Sequence, residues 1–346
     1  MRIEIREMRE DEAALAWKTG KPSFGLIERM AFQKPKQAFL AIADAQIVGM
    51  ASFCSFPGKN DQKIGYVEVG YVKKGCEGEG IGGELYKRAT THLKEQGCET
   101  VTATVKDDNV ASWKLFENNG YRITGFIQLL HCYGLLSTIR LWLKSTLAIA
   151  TGFHLWSTIP GRGRSTIQQV GIFALLNLIV LLPVLALGGS LLDFGLRACV
   201  TALLLSAALL GGLLGTLFFK EKWCFFTTRG GVLISFLVTS LGGIWPVVGR
   251  FYPVIYRRTP GFRRDMGVEG LLEWLALLFM IGVASLKKDQ LAFWNYVFSF
   301  GKNLLLIHAL PVYPFSSFGG KRIWDYSKGL SVITIIISAV LLFLWK

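Results

Sequence analysis

Hydrophobic positions along this 346-residue chain follow two rhythms. Up to about residue 125, short alternating runs are interleaved with helical spacing. Arg2–Met8 alternates apolar and polar residues and predicts a strand. Asp11 reads as the N-cap of a helix reaching about Lys18, and a second helix fits roughly Phe24–Gln33. Ala38–Ala43 and Ile47–Cys54 read as strands joined by the turn Asp44-Ala45-Gln46, and Lys63–Lys73 as a third apolar strand. Ile81–Gln96 carries Leu85, Ala89 and Leu93 at helical spacing and stops at Gly97. Thr100–Val105 is again a strand, Asn109–Asn119 a helix, and Tyr121 opens a last strand. Strands and helices in this order predict an α/β domain around a mixed sheet.

Behind about residue 165 the rhythm changes to runs of membrane length, for which about twenty apolar residues suffice. Gln168–Gly189, Phe194–Phe219, Gly270–Leu286, Leu291–Leu310 and Gly329–Trp345 are the candidate spans. Gly231–Gly249 is interrupted by Gly242, Gly243 and Pro246. A full span there would push Arg250, Arg257, Arg258, Arg263 and Arg264 to the outer side, against the positive-inside tendency. The expectation is therefore five spans and one re-entrant segment near 231–249, with six simple spans as the alternative. Between the two parts, Leu135, Leu136, Ile139, Leu143 and Leu147 form an apolar face opposed by Arg140 and Lys144. That pattern suits an amphipathic helix on a bilayer surface, or else a helix packed on the front domain. The expected division is a soluble domain over 1–130, a connector over 131–165 and an all-α polytopic membrane domain over 166–346.

Charge and composition support that division. Acidic residues concentrate in the front part, and the mean hydropathy of the whole chain is +0.41. The net charge of +14 could suggest nucleic acid. Its cations, however, cluster at the ends of apolar segments, Arg162, Arg164, Lys220, Lys222, Lys321 and Arg322 among them, as topology determinants do. No nucleic-acid partner is expected. The six cysteines contain no Cys-x-x-Cys pair, and the four histidines include no His-Glu-x-x-His, so no zinc site is implied. The start of the chain is a strand pattern rather than a cleavable leader. These features predict a multi-pass protein of the cell membrane with its front domain in the cytoplasm.

The most specific chemistry lies at Glu77-Gly78-Glu79-Gly80-Ile81-Gly82-Gly83, between a strand and a helix. A helix starting directly after a glycine turn offers unpaired backbone N–H groups and its positive dipole end to an anion. The ligand should carry phosphate or pyrophosphate. The turn follows the fourth strand, whereas a Rossmann turn follows the first.

These residues resemble the GNAT family of acyl-coenzyme A-dependent N-acetyltransferases, over roughly residues 1–130. The family's pyrophosphate turn, Gln/Arg-x-x-Gly-x-Gly/Ala, falls on Glu77–Gly82. Its Asn-x-x-Ala/Ser-x-x-Leu-Tyr-x-x-x-Gly-Phe pattern falls on Asn109, Ser112, Leu115, Phe116, Gly120 and Tyr121. The resemblance implies acetyl-CoA as acyl donor and no metal. It implies cofactor contacts at Val72 (to the pantetheine arm), at Glu77, Gly78, Glu79, Gly80, Ile81, Gly82 and Gly83, and at Asn109, Ser112 and Phe116. Two positions depart from the pattern. Glu77 replaces Gln or Arg and, with Glu79, brings like charge to a pyrophosphate unless both side chains turn to solvent. Phe116 stands where the family often has a tyrosine near the leaving thiolate.

An amine must lose a proton to attack a thioester. Glu68, expected on the face of Val72 by the two-residue period of a strand, is the candidate base. The resulting expectation is a membrane-anchored N-acetyltransferase acting on a primary amine of a protein, peptide or small molecule, with a membrane-protein partner in reach. The alternative is a membrane sensor that binds acyl-coenzyme A without turnover. Further on, Asn303-Leu-Leu-Leu and Pro311–Lys321 are similar to segments of site-2 protease-like intramembrane peptidases. Ser316 or Ser317 stands there in place of a ligand aspartate, which implies a non-catalytic relative.

Overall fold

The computed structural model describes residues 3–25, 29, 32–59, 62–107, 109–147, 150–160, 165–219, 221–243, 245–254 and 259–345. They form two compact units, Met1–Thr146 with His154–Gly163, and Leu147–Phe153 with Arg164–Lys346.

The front unit is built on a 7-stranded sheet. Its strands are β1 (Ile3–Glu7), β2 (Ala38–Ala43), β3 (Gln46–Pro57), β4 (Lys63–Val72), β5 (Cys98–Lys106), β6 (Arg122–Ile123) and β7 (Phe153–Ser157). They lie in the order β1-β2-β3-β4-β5-β7-β6. β1 to β4 pair antiparallel, and β4 pairs with β5 in parallel. Asp44 and Ala45 both take left-handed backbone (φ 48° and 60°), the twist a two-residue hairpin needs between β2 and β3. Helix α1 covers Ala13–Gly20. Asp11 sits in the short 3-10 turn Glu10–Glu12 ahead of it rather than at an N-cap. That turn is closed at Arg9, whose N–H donates to Glu12 Oε2 at 2.9 Å. The expected second helix, Phe24–Gln33, falls largely outside the described residues. Helix α2 (Ile81–Glu95) buries Ile81, Leu85, Ala89 and Leu93, the predicted stripe. Helix α3 covers Val110–Asn118 and helix α4 Phe126–Lys144.

Three expectations change here. The strand opened by Tyr121 is only β6, and α4 begins soon after, crossing the expected boundary at 130. The connector 131–165 is not separate, because most of α4 and of β7 belongs to the front unit. α4 is pinned to the sheet by Tyr133, whose Oη accepts from Thr100 Oγ1 at 2.7 Å. Leu129 and Leu141 are buried while Leu135, Leu136, Ile139 and Leu143 are exposed, and Leu147 is buried. A helix that is apolar on more than one side explains why its sequence could not be told from a surface-lying one.

The rear unit is helical but not all-α. Its helices are α5 (Thr166–Ile179), α6 (Pro183–Ala186), α7 (Leu191–Leu217), α8 (Val232–Ser240), α9 (Pro260–Ser285), α10 (Ala292–Ala309), α11 (Gly320–Tyr326) and α12 (Lys328–Leu344). Strands β8 (Trp223–Thr227) and β9 (Gly249–Pro253) pair antiparallel between them. Their aromatic content (Trp-Cys-Phe-Phe-Thr and Gly-Arg-Phe-Tyr-Pro) favours extended chain over helix. Ser165 caps α5 reciprocally with Gln168, and Ser190 caps α7 with Asp193. The core joins Val200 and Leu204 of α7, Leu277 and Ile281 of α9, and Val297 and Leu304 of α10. α7 and α9 approach closely, since a Cβ at Gly215 would meet Glu269 Cα at 2.8 Å. Among the described residues, four helical stretches are long and apolar enough to cross a membrane: Phe126–Lys144, Thr166–Ala186, Leu191–Leu217 and Pro260–Ser285. The first is α4, held to the front sheet. Within 231–249 the helix is α8, whose 9 residues are too few to cross.

Candidate active site

The site is made where β4 and β5 part. Their parallel pairing runs from Lys63↔Cys98 to Val67↔Ala103, while β4 continues to Val72 and β5 to Lys106. Beyond Val67 the β4 edge has therefore lost its β5 partner, and its backbone groups are open to another chain of donors and acceptors. At the far end of this stretch stands the N-terminus of α2. Gly78 and Gly80 have φ of +94° and +77°, a region that glycine enters without strain. Gly80 is the N-cap of α2, and no side chain caps it. The first helical bond is donated by Glu84 to Gly80 O, which leaves the N–H groups of Ile81, Gly82 and Gly83 without an intrahelical acceptor. A Cβ on Gly80 would meet nothing within 4 Å, so the space above the turn is open. Glu77 and Glu79 are both exposed, as are Lys73 and Lys74 just before them.

Val72 faces α2 at Gly82, where a Cβ would stand 3.6 Å from Val72 Cγ2. Glu68 does not share that face. Ser52 pairs with Val69 and Phe53 with Val67, so Glu68 is the extra residue of a β-bulge. The bulge cancels the two-residue period on which the expectation rested. Phe53 lies 5.2 Å, ring to ring, from His92 of α2, so its neighbour Cys54 points to the opposite face. It is there that the Glu68 carboxylate sits, 3.2 Å from Lys144 Nζ and near enough to the Cys54 thiol to act on it electrostatically. Burial, with Glu68 adding and Lys144 opposing, pushes the Cys54 thiol up to about 12. Tyr66, beside them, is raised by burial, and its hydroxyl lies 3.2 Å from Thr104 Oγ1.

Asn109 is the N-cap of α3, with Oδ1 accepting from Ser112 N at 3.1 Å. Its side-chain carbonyl is thereby committed to the helix end, and Ser112 contributes through its backbone. Phe116 is buried, its ring 4.7 Å from Tyr86 and 5.0 Å from Tyr121. Tyr86 escaped the sequence reading. A Cβ on Gly70, in the parted stretch of β4, would collide with the Tyr86 ring and hydroxyl. Burial raises the Tyr86 phenol to about 12, so it keeps its proton at neutral pH. The helical spacing that places Tyr86 next to Leu85 carried no hint of this contact.

Residues 3–121 match the model of the acetyltransferase (GNAT) family. The front unit carries a GNAT acetyltransferase domain. No curated protein matches the chain. An acetyltransferase of the GNAT family from Streptococcus pneumoniae is similar in structure at 20% identity, covering 36% of this chain and 86% of its own, with a TM-score of 0.30. Arabidopsis thaliana Naa50 in complex with the bisubstrate analogue CoA-Ac-MVNAL is similar at 14% identity over 46% of this chain and 100% of its own, with a TM-score of 0.34. The NatC complex bound to Gag peptide and CoA is similar at 17% identity over 36% of this chain and 87% of its own, with a TM-score of 0.31. The family match stops short of β6 and β7, which belong to the same sheet.

The rear unit holds a second polar constellation, also missed in the sequence. Glu269 and Glu273, one turn apart on α9, are buried with Arg250 of β9 and Arg322 of α11. Arg250 Nη2 lies 2.8 Å from Glu269 Oε2 and 2.8 Å from Glu273 Oε2. Arg322 Nη1 donates to the same Glu269 oxygen at 2.5 Å and to Phe251 O at 2.9 Å. His308, the histidine of the candidate span Leu291–Leu310, has Nδ1 3.8 Å from Glu273 Oε2. Among the described residues, no group of three or more His, Cys, Asp or Glu is arranged to hold a metal.

Proposed function

We propose that the front domain transfers an acetyl group from acetyl-CoA to a primary amine, and that the rear helices hold the chain in a membrane with this domain on the cytoplasmic face. The observation that carries the reading is the parting of β4 and β5 beyond Val67 and Ala103, leading to the uncapped N-terminus of α2. N–H groups of Ile81, Gly82 and Gly83 would hold the pyrophosphate, helped by Lys73 and Lys74, with Glu77 and Glu79 screened by solvent. The free edge of β4 up to Val72 would pair with the amide-rich arm. When bound, acetyl-CoA supplies an acyl group on a sulfur that leaves readily.

Glu68 is the base in this reading. Its carboxylate can take a proton from an amine on the sheet face it shares with Cys54. Phe116 has no hydroxyl to offer the departing sulfur, but Tyr86, protonated and packed on Gly70, can serve as donor. The exposed apolar residues Leu135, Leu136, Ile139 and Leu143 of α4 suit a lipid surface or a membrane-protein partner. In the rear unit, the resemblance of Pro311–Lys321 to site-2 protease-like proteins adds a non-catalytic, anchoring role to the same reading.

The test is calorimetry of the full-length protein with Gly80→Leu. The space at Gly80 is open, so the leucine meets no neighbour and fills the cradle; its φ of +77° costs backbone strain of about 1–3 kcal/mol, and folding of the variant is checked by its circular dichroism and unfolding midpoint before affinity is read. Coenzyme affinity is expected to fall at least ~10-fold, about 1.4 kcal/mol. Unchanged affinity in a folded sample overturns the reading. Thiol release from acetyl-CoA with a panel of amines, on full-length protein in lipid, then separates enzyme from sensor. Binding without turnover would favour the sensor.

A further inference from the structure

The geometry points to Lys144 as an acetylation site of the protein itself, modified by the domain that carries it. The inference rests on the acetyl-transfer reading of the same site. A base that prepares an acceptor amine must stand within hydrogen-bond reach of it, about 2.6–3.2 Å. The Lys144 ammonium stands 3.2 Å from Glu68 Oε1, an amine already at the base. Glu68 in turn is the first β4 residue past the last β4–β5 pair, at the mouth of the open stretch. Lys144 is the last residue of α4, and α4 is fixed to the sheet through Tyr133 and Thr100. The amine is therefore presented from within the molecule, which replaces a bimolecular encounter by an intramolecular one.

Two neighbouring facts sharpen the assignment. Lys144 and Glu68 keep 37% and 30% of their side-chain surface exposed, so the amine can leave the ion pair, within which, against the lowering effect of burial, Cys54 and Glu68 hold Lys144 above its ordinary value. The nearby Cys54 thiol holds its proton until about pH 12 and does not compete as a nucleophile.

The reaction balances without an oxidant or metal. The ammonium gives one proton to Glu68, and from there to solvent. Neutral Nζ attacks the acetyl carbonyl carbon, the N–C bond forms and the C–S bond breaks. The second proton leaves the nitrogen for the thiolate, giving free thiol. The product amide is neutral, so the pair with Glu68 is dissolved and the carboxylate is freed for an outside amine.

The experiment uses full-length protein in lipid with acetyl-CoA, followed by peptide mass mapping. One acetyl group is expected on Lys144, appearing at a first-order rate independent of protein concentration. Lys144→Arg keeps a cation beside Glu68 and should lack the modification, and Glu68→Gln should slow it at least ~100-fold. A second readout needs no acyl-coenzyme: labelling of Lys144 by succinimidyl acetate should be slowed by desulfo-coenzyme A, which has no thiol to consume the reagent, and slowed less at the same concentration in the Gly80→Leu variant. An unmodified Lys144 in a sample that binds coenzyme and acetylates an added amine overturns the inference and leaves the acetyl-transfer reading standing. Modification that runs at an unchanged rate in Gly80→Leu, with acetyl-CoA below saturation, also overturns it, as non-enzymatic chemistry. A sample that binds no coenzyme sinks both.

Discussion

The Glu68–Lys144 pair of the front unit and the Arg250–Glu269–Arg322 cluster of the rear unit use the same charges in opposite surroundings. In the first, both side chains keep about a third of their surface in water, and the partner can be exchanged at little cost. In the second, Arg250, Glu269 and Arg322 are 3%, 0% and 5% exposed, and each charge depends on the others for its solvation. Exchangeable charge is what a site that handles an incoming amine requires. Locked charge tethers β9, α9 and α11 to one another. The Arg6–Glu12 pair, with Glu12 12% exposed, stands between the two.

Three measurements sharpen or break that contrast. Glu269→Ala leaves two buried arginines without their shared counter-charge and should destabilise the rear unit by about 3–5 kcal/mol in denaturation experiments in detergent. Loss below 1 kcal/mol would mean that water reaches the cluster and the contrast is false. Glu68→Gln should lower turnover at least ~100-fold with coenzyme affinity unchanged, and should move stability by no more than about 0.5 kcal/mol. A large stability loss with turnover intact would recast Glu68 as structural. Glu12→Gln should have the smallest effect, and it carries a pH signature. Hydrogen bonds from Arg6, against the opposing effect of burial and with help from Arg9, lower the Glu12 carboxyl to about 2. A depressed folded-state value stabilises above the ordinary carboxylate range, and the benefit disappears as pH falls through about 2. The gap in unfolding midpoint between native and Glu12→Gln protein should therefore be constant near neutrality and close in strong acid. A gap that widened in acid would contradict the pairing.

Local pattern made much of the front domain readable. α2 was visible because Ile81, Leu85, Ala89 and Leu93 sit one turn apart, and the glycine turn because its composition is unusual. β7 was not, since Phe-His-Leu-Trp-Ser inside an apolar stretch has no period to separate it from helix, and its partners β5 and β6 lie far back in the chain. The bulge at Glu68 left no trace either: it arises from the register between β3 and β4, and it turned the candidate base to the other face. In the rear unit, two carboxylates four apart in an apolar helix are a legible oddity. Their arginines come from β9 and α11, and only the fold brings them together.

β7 lies between β5 and β6, yet in the chain it starts at the end of Leu147–Phe153, a segment assigned to the rear unit. The two units are thus interlaced along the sequence, and no single cut separates the whole 7-stranded sheet from the rear unit. A gene fragment ending at residue 130 would omit the strand that fills the sheet between its neighbours. Biosynthesis inherits the same constraint: the acetyltransferase sheet stays incomplete at the ribosome until the segment leading to the first rear helix has emerged.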